Sequence, residues 1–204
     1  MQRPITPPPV TEIMPAHKVF IGIGSNIGDR LCHLQEAVNQ LALLDEISVS
    51  AVSSIYLTEP IGDTEQNRFY NGVLLLETSF SPEELRRHCK TIEQESGRPD
   101  TYARWSPRVI DLDILLYDNS CVHSDTLSIP HNELHCRKFV LVPLLDIANP
   151  VHPVMQQTML QLLNCSADRS VLVRIKERVE VKKKTDYPLQ ESASKSLPYR
   201  QGDD

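Results

Sequence analysis

The sequence predicts a mixed α/β (α+β) fold: a ferredoxin-like βαββαβ core with C-terminal additions, a single antiparallel-containing sheet and helices packed on one face. The prediction rests on three observations. Short apolar runs rich in β-branched residues alternate with two amphipathic helical stretches. Their order is strand, helix, strand, strand, helix, strand. Further apolar segments follow Pro130.

The first half of this core begins with K-V-F-I-G-I-G, residues 18–24, an apolar run closed by glycine that predicts a buried strand. A strand-like run, residues 46–56, and an aperiodic, turn-rich loop, residues 57–68, come later. Between the two strands, apolar residues at helical spacing predict a helix: Leu31, Leu34, Val38, Leu41 and Leu44.

The second half returns to a strand over residues 69–78 and then gives a clear helix start. Ser81 suits the N-cap, Pro82 the first helical position and Glu84 a capping box, and Gly97 ends the helix.

The last core strand carries two aspartates. Alternation along a strand places its side chains on two faces. One face is apolar and predicted to pack under the helices: Ile110, Leu112, Ile114 and Leu116. The other carries the carboxylates: Val109, Asp111, Asp113, Leu115 and Tyr117.

The length of 204 residues suits one domain with a sizeable core. Residues 1–17 are rich in proline and are predicted to be a disordered lead-in. Residues 177–204 are charged and poor in apolar residues, which predicts a disordered tail. The folded domain is therefore expected to span residues 18–176.

The formal charge of -6 argues against binding nucleic acid or an anionic membrane by bulk electrostatics, whereas a small anion needs only local positive charge. Five scattered cysteines without C-x-x-C spacing are typical of reduced thiols in the cytoplasm. No run approaches the roughly 20 apolar residues of a membrane span. We expect a cytoplasmic protein that binds neither nucleic acid nor membrane.

Asp111 and Asp113 would lie about 7 Å apart between Cα atoms, two strand rises along one face. Carboxylates at that separation can converge on Mg²⁺, which one or two carboxylates and substrate phosphates usually hold. The upstream arginines Arg98, Arg104 and Arg108 suit phosphate oxygens. The cluster therefore indicates a polyphosphate site. Two other interpretations stay open: a solvated sheet face for the aspartates, or arginines that only pair with them.

The segment G-I-G-S-N-I-G-D, residues 22–29, invites comparison with phosphate-binding loops because a strand leads into a helix there. It lacks the G-K-[ST] of a P-loop, and its glycines miss the G-x-G-x-x-G spacing. A tight turn in which Asn26 or Asp29 caps the helix is the favoured interpretation.

Together these motifs resemble a known family. The segment G-R-P-D-T-Y-A-R-W-S-P-R-V-I-D-L-D-I-L-L, with G-S-N upstream and S-I-P-H downstream, is similar to the 6-hydroxymethyl-7,8-dihydropterin pyrophosphokinases of folate synthesis. The resemblance runs from about Lys18 to Leu163. It implies transfer of diphosphate from the co-substrate ATP to the hydroxymethyl group of the pterin, release of AMP, and two Mg²⁺ ions as cofactors.

The resemblance also assigns roles to residues. Asp111 and Asp113 would hold the metal ions, and Arg98 and Arg108 would act with them in catalysis on the ATP phosphates. Trp105 would lie on a mobile loop that closes over the site, and it would contact ATP there. Four further residues would contact ATP: Ile114, Ser128, His131 and Arg137.

The pterin, by the same resemblance, would lie between Phe69 and Phe139. Asn71 and the loop residues Thr58, Glu59 and Ile61 would read the edge of the ring.

Three positions depart from the family pattern. Ser106 stands where glycine is usual, Asp100 occupies a site that is basic in some members, and Asn132 stands where an aromatic often follows the histidine. They leave open a catalytically impaired relative that only binds nucleotide or pterin. A single-stranded nucleic-acid-binding module is the other alternative, since βαββαβ with sheet aromatics is also the RNA-recognition architecture. We expect a monomer whose partners are ATP and the pterin.

Overall fold

The computed structural model describes residues 16–60, 65–98 and 106–182. Its main sheet has six strands, and a separate pair of short strands forms a small hairpin. In chain order the elements are β1 (His17–Ser25), α1 (Arg30–Leu43), β2 (Ile47–Val52), β3 (Tyr56–Thr58), β4 (Phe69–Thr78), α2 (Pro82–Glu95), β5 (Asp111–Tyr117), β6 (Val122–His123), β7 (Ser128–Ile129), α3 (Lys138–Leu145), α4 (Met159–Cys165) and β8 (Leu172–Arg174).

The main sheet is antiparallel throughout and has the order β5-β1-β4-β3-β8, with β2 also paired to β4. β5, β1 and β4 lie side by side, and β2 and β3 both pair with the other edge of β4. Together with α1 and α2, these strands form the predicted βαββαβ arrangement. The fold class is therefore confirmed. β8 is a further strand that the sequence pattern did not indicate.

The strand predicted over residues 46–56 is two strands, β2 and β3. Ser53 separates them: its backbone N–H donates to the Val73 carbonyl at 2.9 Å, and its hydroxyl accepts the Val73 N–H at 2.9 Å. Because a side chain replaces a backbone carbonyl in the ladder, regular pairing stops there. Leu57 and Thr58, predicted to lie in a loop, belong to β3.

Both long helices begin as their sequences predict. Asp29 caps α1 by accepting the Cys32 N–H. Ser81 and Glu84 form the capping box of α2, whose first residue is Pro82. Gly97 follows α2 with a φ of 98°, a left-handed conformation that favours glycine.

The sheet separates two apolar cores. The larger lies under α1 and α2, where Leu34, Leu41 and Leu85 pack on the sheet. The smaller lies on the opposite face under α3 and α4, where Leu141 and Met159 are buried. The C-terminal additions thus cover the face that the βαββαβ core leaves open.

A bulge changes the direction of side chains within β5. Phe20 pairs with Leu116 and Ile21 with Ile114, so Leu115 is an extra residue. Leu115 and Leu116 both join the smaller core, and Tyr117 joins the larger one. The predicted alternation is correct through Leu115, which lines the cavity beside the aspartates, and wrong for Leu116 and Tyr117.

Residues 172–182, which we call the C-terminal strap, cross the edge of the sheet. β8 pairs with β3, and Val179 is buried in the larger core. Glu180 and the side chain of Gln35 in α1 exchange two hydrogen bonds of 2.8 and 2.9 Å. The folded structure therefore continues past the predicted boundary at residue 176.

Disorder was predicted for residues 1–17 and 177–204, of which residues 1–15 and 183–204 lie outside the described residues. His17 begins β1, and residues 177–182 belong to the C-terminal strap. Within the described ranges, no helix has the length and apolar character needed to cross a bilayer.

Candidate active site

The two aspartates of β5 lie beside a stretch of β1 that presents two glycines, and hence no side chains, on the same face of the sheet. The strand register pairs Gly24 with Asp111 and Gly22 with Asp113. Because glycine leaves the sheet surface open there, a cavity of about 300 Å³ forms, and all four residues line it. The carboxylates therefore lie at a recess and not on an open sheet face.

Two arginines share the Asp111 carboxylate. Arg98 Nη1 donates to Oδ1 at 2.7 Å, and Arg108 Nη1 donates to Oδ2 at 2.8 Å. The three side chains are mostly buried, with exposed fractions of 7% for Arg98, 21% for Arg108 and 19% for Asp111. Two guanidinium groups are thus concentrated at one end of the cavity, a combination suited to phosphate oxygens.

Glu93, near the end of α2, binds this cluster from the helix side of the sheet. Its side chain is 1% exposed and accepts from Arg98 Nη1 at 2.6 Å, from Lys90 Nζ at 2.9 Å and from the Leu112 N–H at 2.8 Å. A buried carboxylate is tolerated only when it is paired and hydrogen-bonded in this way. Glu93 therefore links α2 to β5 and fixes the position of Arg98.

Asp113 differs from Asp111 in its environment. Burial, and then the negative charge of Asp111, raise the pKa of Asp113 to about 7, although the nearby ammonium of Lys90 opposes the shift. Asp111 is held by two arginines, whereas the structure records no hydrogen bond or ion pair from Asp113 to another described residue. Its carboxylate is therefore available to a cation that enters the cavity.

Asn26 fixes the approach to β5. Its Oδ1 accepts the backbone N–H of Arg108 at 2.7 Å, and its own backbone N–H donates to the Arg108 carbonyl at 3.1 Å. The predicted turn after β1 is therefore present, but Asp29 caps the helix and Asn26 anchors the arginine segment. The structure gives this turn a role in placing Arg108.

A second part of the cavity wall, which we call the aromatic end, is aromatic and amide-lined. It adjoins the arginines, since the guanidinium carbon of Arg108 lies 5.6 Å from the ring centre of Phe69. Phe69 and Asn71 lie two residues apart on β4, and Phe139 enters from α3. Asn71 is buried, and its Nδ2 donates to the Thr58 hydroxyl at 2.7 Å. A flat heterocycle is well bound by such a pairing of aromatic faces with a few fixed hydrogen-bonding groups.

His131 and Arg137 complete the wall next to Phe139. Burial, and then the positive charge of Arg137, lower the pKa of His131 to about 4, so its ring is neutral near pH 7. Nδ1 of His131 accepts the Glu133 N–H at 3.2 Å. Arg137 forms an ion pair with Glu133, and its guanidinium carbon lies 5.5 Å from the ring centre of Phe139.

Most of the site residues predicted from the sequence line this one cavity. They are Thr58, Glu59, Phe69, Asn71, Arg98, Arg108, Asp111, Asp113, His131, Arg137 and Phe139.

Four other predicted site residues are placed elsewhere or are not described. Ile114 is buried in the larger core because it lies on the face of β5 opposite the aspartates. Ser128 is outside the cavity lining and donates to Asn132 Oδ1 at 2.7 Å. Ile61 and Trp105 lie outside the described residues, as do Arg104 and Asp100.

Sequence reasoning missed Lys90, Glu93 and the role of Asn26. Lys90 and Glu93 fall in a helix of charged residues, where a solvated face is the ordinary interpretation. The available signal was their spacing: Glu93 precedes Arg98 by five residues, and Lys90 lies one helical turn before Glu93.

A family model described as 7,8-dihydro-6-hydroxymethylpterin-pyrophosphokinase (HPPK) matches residues 20–149. Enzymes named 2-amino-4-hydroxy-6-hydroxymethyldihydropteridine pyrophosphokinase are similar to the chain. The Methylorubrum extorquens enzyme is 43% identical over 131 residues, which cover 64% of this chain and 82% of that protein. The Bacillus subtilis enzyme is 42% identical over 132 residues, 65% of this chain and 78% of that protein.

Larger proteins contain a similar region. The folic acid synthesis protein fol1 of Schizosaccharomyces pombe is 43% identical over 146 residues, which span 71% of this chain but 20% of that protein. A solved structure of wild-type Plasmodium falciparum HPPK-DHPS superposes with a TM-score of 0.57 at 15% identity, covering 76% of this chain and 45% of that one. At that identity the superposition shows the fold alone.

The match over residues 20–149 includes both ends of the cavity, from the glycines of β1 to Phe139. It confirms the family that the sequence motifs predict. The chain belongs to the 7,8-dihydro-6-hydroxymethylpterin-pyrophosphokinase family.

Proposed function

We propose that this chain transfers diphosphate from ATP to the hydroxymethyl group of 6-hydroxymethyl-7,8-dihydropterin and releases AMP, as a step of folate biosynthesis. The observation that carries the proposal is the composition of the cavity. Carboxylates and guanidinium groups occupy one end of it, and Phe69, Asn71 and Phe139 occupy the other. Family membership supports the same reaction.

The carboxylate end fits Mg²⁺. Magnesium is usually held by one or two carboxylates together with substrate phosphates and water. Asp111 and Asp113 would supply the carboxylates, and the raised pKa of Asp113 is the expected property of a group that a cation would neutralise. No group of three or more acidic, histidine or cysteine ligands occurs in the described part of the chain. ATP oxygens would therefore have to complete the coordination.

When bound there, Mg²⁺ would neutralise phosphate charge and acidify the attacking hydroxyl. The other contributions come from the chain. Arg98 and Arg108, now bound to Asp111, would find alternative acceptors in the ATP phosphates. Neutral His131 can exchange hydrogen bonds with the nucleotide without adding charge.

In the proposed reaction the hydroxymethyl oxygen forms a bond to the β-phosphorus of ATP. The bond from that phosphorus to the oxygen bridging the α- and β-phosphates breaks, and its electron pair leaves with AMP. The hydroxyl proton passes to solvent. Positioning by the two ends of the cavity and charge neutralisation would supply most of the rate enhancement, as in phosphoryl transfer generally.

We also propose that the protein acts as a monomer in a reducing compartment, with ATP and the pterin as its partners. All five cysteines lie among the described residues and are unpaired, which supports a cytoplasmic location.

The decisive experiment incubates the protein with the pterin, ATP and Mg²⁺ and separates the nucleotides by chromatography. AMP should form in a one-to-one ratio with the diphosphorylated pterin. Formation of ADP would contradict the proposal. Binding of a non-hydrolysable ATP analogue without any AMP formation would favour the catalytically impaired alternative.

Substitutions of the aspartates test the site itself. Asp111→Ala and Asp113→Ala should abolish AMP formation while circular dichroism shows a retained fold. Asp125→Ala is the matched control, because Asp125 is exposed in a turn outside the cavity. Full activity of either β5 variant would refute the assignment.

A further inference from the structure

Gly24 in β1 lies directly opposite Asn71 in β4. A Cβ atom placed on Gly24 would be 2.7 Å from Oδ1 of Asn71 and 3.9 Å from Cδ1 of Phe69. The first distance is well inside the van der Waals contact of carbon and oxygen. The Asn71 carboxamide therefore occupies the space that a side chain at position 24 would need.

The Asn71 carboxamide is held from two sides. Its oxygen lies against the backbone of Gly24, and its Nδ2 donates to the Thr58 hydroxyl at 2.7 Å within a buried environment. An Asn side chain has two N–H donors and an oxygen acceptor. Among the described residues, Thr58 takes one donor, and no hydrogen bond to the second donor or to the oxygen is recorded, so both can serve a ligand at the aromatic end of the cavity.

From this geometry we infer that Gly24 is a positioning residue for ligand recognition: its missing side chain sets the orientation in which Asn71 presents its amide to a heterocycle. The inference rests on the proposed function, because the heterocycle is taken to be the pterin. A pterin edge carries adjacent N–H donors and ring-nitrogen or carbonyl acceptors, so the orientation of one carboxamide affects several hydrogen bonds.

The close contact at position 24 involves the far end of a side chain and not the backbone. Gly24→Ala should therefore be accommodated by rotation of the Asn71 carboxamide, with loss of the Thr58 hydrogen bond and without unfolding. Gly22 provides the comparison within the same strand. A Cβ atom there would lie 3.5 Å from Cδ2 of Leu115, an ordinary contact.

The first test needs no ligand. In NMR spectra of ¹⁵N-labelled protein, the side-chain amide resonance of Asn71 is assigned by its disappearance in Asn71→Ala. It should shift in Gly24→Ala and stay close to its wild-type position in Gly22→Ala. An unmoved Asn71 resonance in Gly24→Ala would overturn the inference whatever the binding data show.

The second test measures ligand affinity by calorimetry for the wild type, Gly24→Ala, Asn71→Ala and the double variant. Gly24→Ala should weaken pterin binding by about tenfold, the effect of one misplaced hydrogen-bonding group in a buried site. Affinity for a non-hydrolysable ATP analogue with Mg²⁺ should fall by a smaller factor than affinity for the pterin, because the nearest atom to the added Cβ belongs to Asn71 and not to Asp111. Since Gly24 acts through Asn71, the double variant should bind the pterin no more weakly than Asn71→Ala.

Fully additive losses in the double variant, or equal losses for both ligands in Gly24→Ala, would refute the positioning role. If the wild type bound no pterin and formed no AMP while the Asn71 resonance moved as expected, the proposed function would fail and the steric role of Gly24 would stand.

Discussion

Glu93 is the residue on which the arginine end of the cavity depends. It is almost fully buried, and it binds two cations and one backbone N–H from β5. Removing one partner of a buried charge cluster leaves the others uncompensated. The contribution of Glu93 is thus both to stability and to the placement of Arg98.

Replacing Glu93 with glutamine should lower the free energy of unfolding by about 3 kcal/mol, because Lys90 then loses its carboxylate partner and Arg98 loses one of its two. Chemical denaturation measures this change. Glu95→Gln is the control, since Glu95 is exposed on the same turn. If both variants lowered the free energy of unfolding by similarly small amounts, Glu93 would not have the stabilising role proposed here.

His131 makes stability depend on pH in a defined direction. Its pKa in the folded protein is lowered to about 4 from an ordinary value of 6.5, chiefly by burial. Between these values the unfolded chain binds more protons than the folded one, so stability rises with pH. The contribution of the neutral ring is present above pH 6.5 and is lost as the pH falls towards 4.

His131→Gln should therefore flatten the rise in melting temperature between pH 4 and pH 6.5. Thermal denaturation across that range is the measurement. His123→Gln serves for comparison, because His123 is exposed on β6. An identical pH profile for the wild type and His131→Gln would contradict the assignment.

The residues of the site could be predicted to different extents. Asp111 and Asp113 stand out because carboxylates interrupt an apolar strand pattern, and Arg98 and Arg108 stand out because they come shortly before that strand. Glu93 does not stand out, because it is buried against β5 and accepts a backbone N–H from Leu112, 19 residues away in sequence. Its role becomes visible only when α2 and β5 are packed together.

Among the elements, β5 shows how far the alternation of side chains along a strand can predict which face each residue occupies. The alternation of side chains placed both aspartates correctly on one face and Ile114 on the other. Leu115 is an extra residue only when β5 is aligned with β1, and the sequence of β5 alone does not show that alignment. The same holds for the break at Ser53, which depends on Val73 of a neighbouring strand.

The start of α3 receives its cap from a distant segment. Arg137 at the N-cap makes no side-chain cap, and Asp168 Oδ2 instead accepts the Lys138 N–H at 2.9 Å. Lys138 Nζ in turn donates to the Ser170 carbonyl at 3.0 Å. The segment after α4 therefore holds the end of α3 that carries Phe139.

Asp168→Ala should destabilise the fold by about 1 kcal/mol, the usual effect of losing a capping side chain. Urea denaturation gives this value. Asp168→Asn keeps an acceptor oxygen and should therefore lose less stability than Asp168→Ala. Equal losses in the two variants would point to charge and not to capping.

For the whole molecule, the order of strands and helices was enough to predict the core architecture, since few topologies satisfy that order. For the region that forms the second apolar core under α3 and α4, the sequence predicted only that additional C-terminal elements follow the βαββαβ core. Its helices are short, and β8 has three residues, so neither gives a long periodic signal.

Ligand binding should stabilise the whole fold. At a concentration about 100 times its Kd, an ATP analogue with Mg²⁺ would add about 2.7 kcal/mol. For a domain of this size that corresponds to a rise in melting temperature of about 5 to 10 °C.

A chelator should remove most of this rise in the wild type, and Asp113→Asn should show little magnesium-dependent increment. Differential scanning fluorimetry with and without the chelator makes the comparison. A rise that is unaffected by the chelator would speak against metal-assisted nucleotide binding.

The C-terminal strap also bears on how the protein is made. Gln35 and Glu180 are 145 residues apart in sequence, and β8 is the last of the described strands to leave the ribosome. Until it does, β3 presents an unpaired edge that another chain could join. Released chains truncated before Leu172 should therefore aggregate or recruit chaperones more readily than released chains that extend past Glu180.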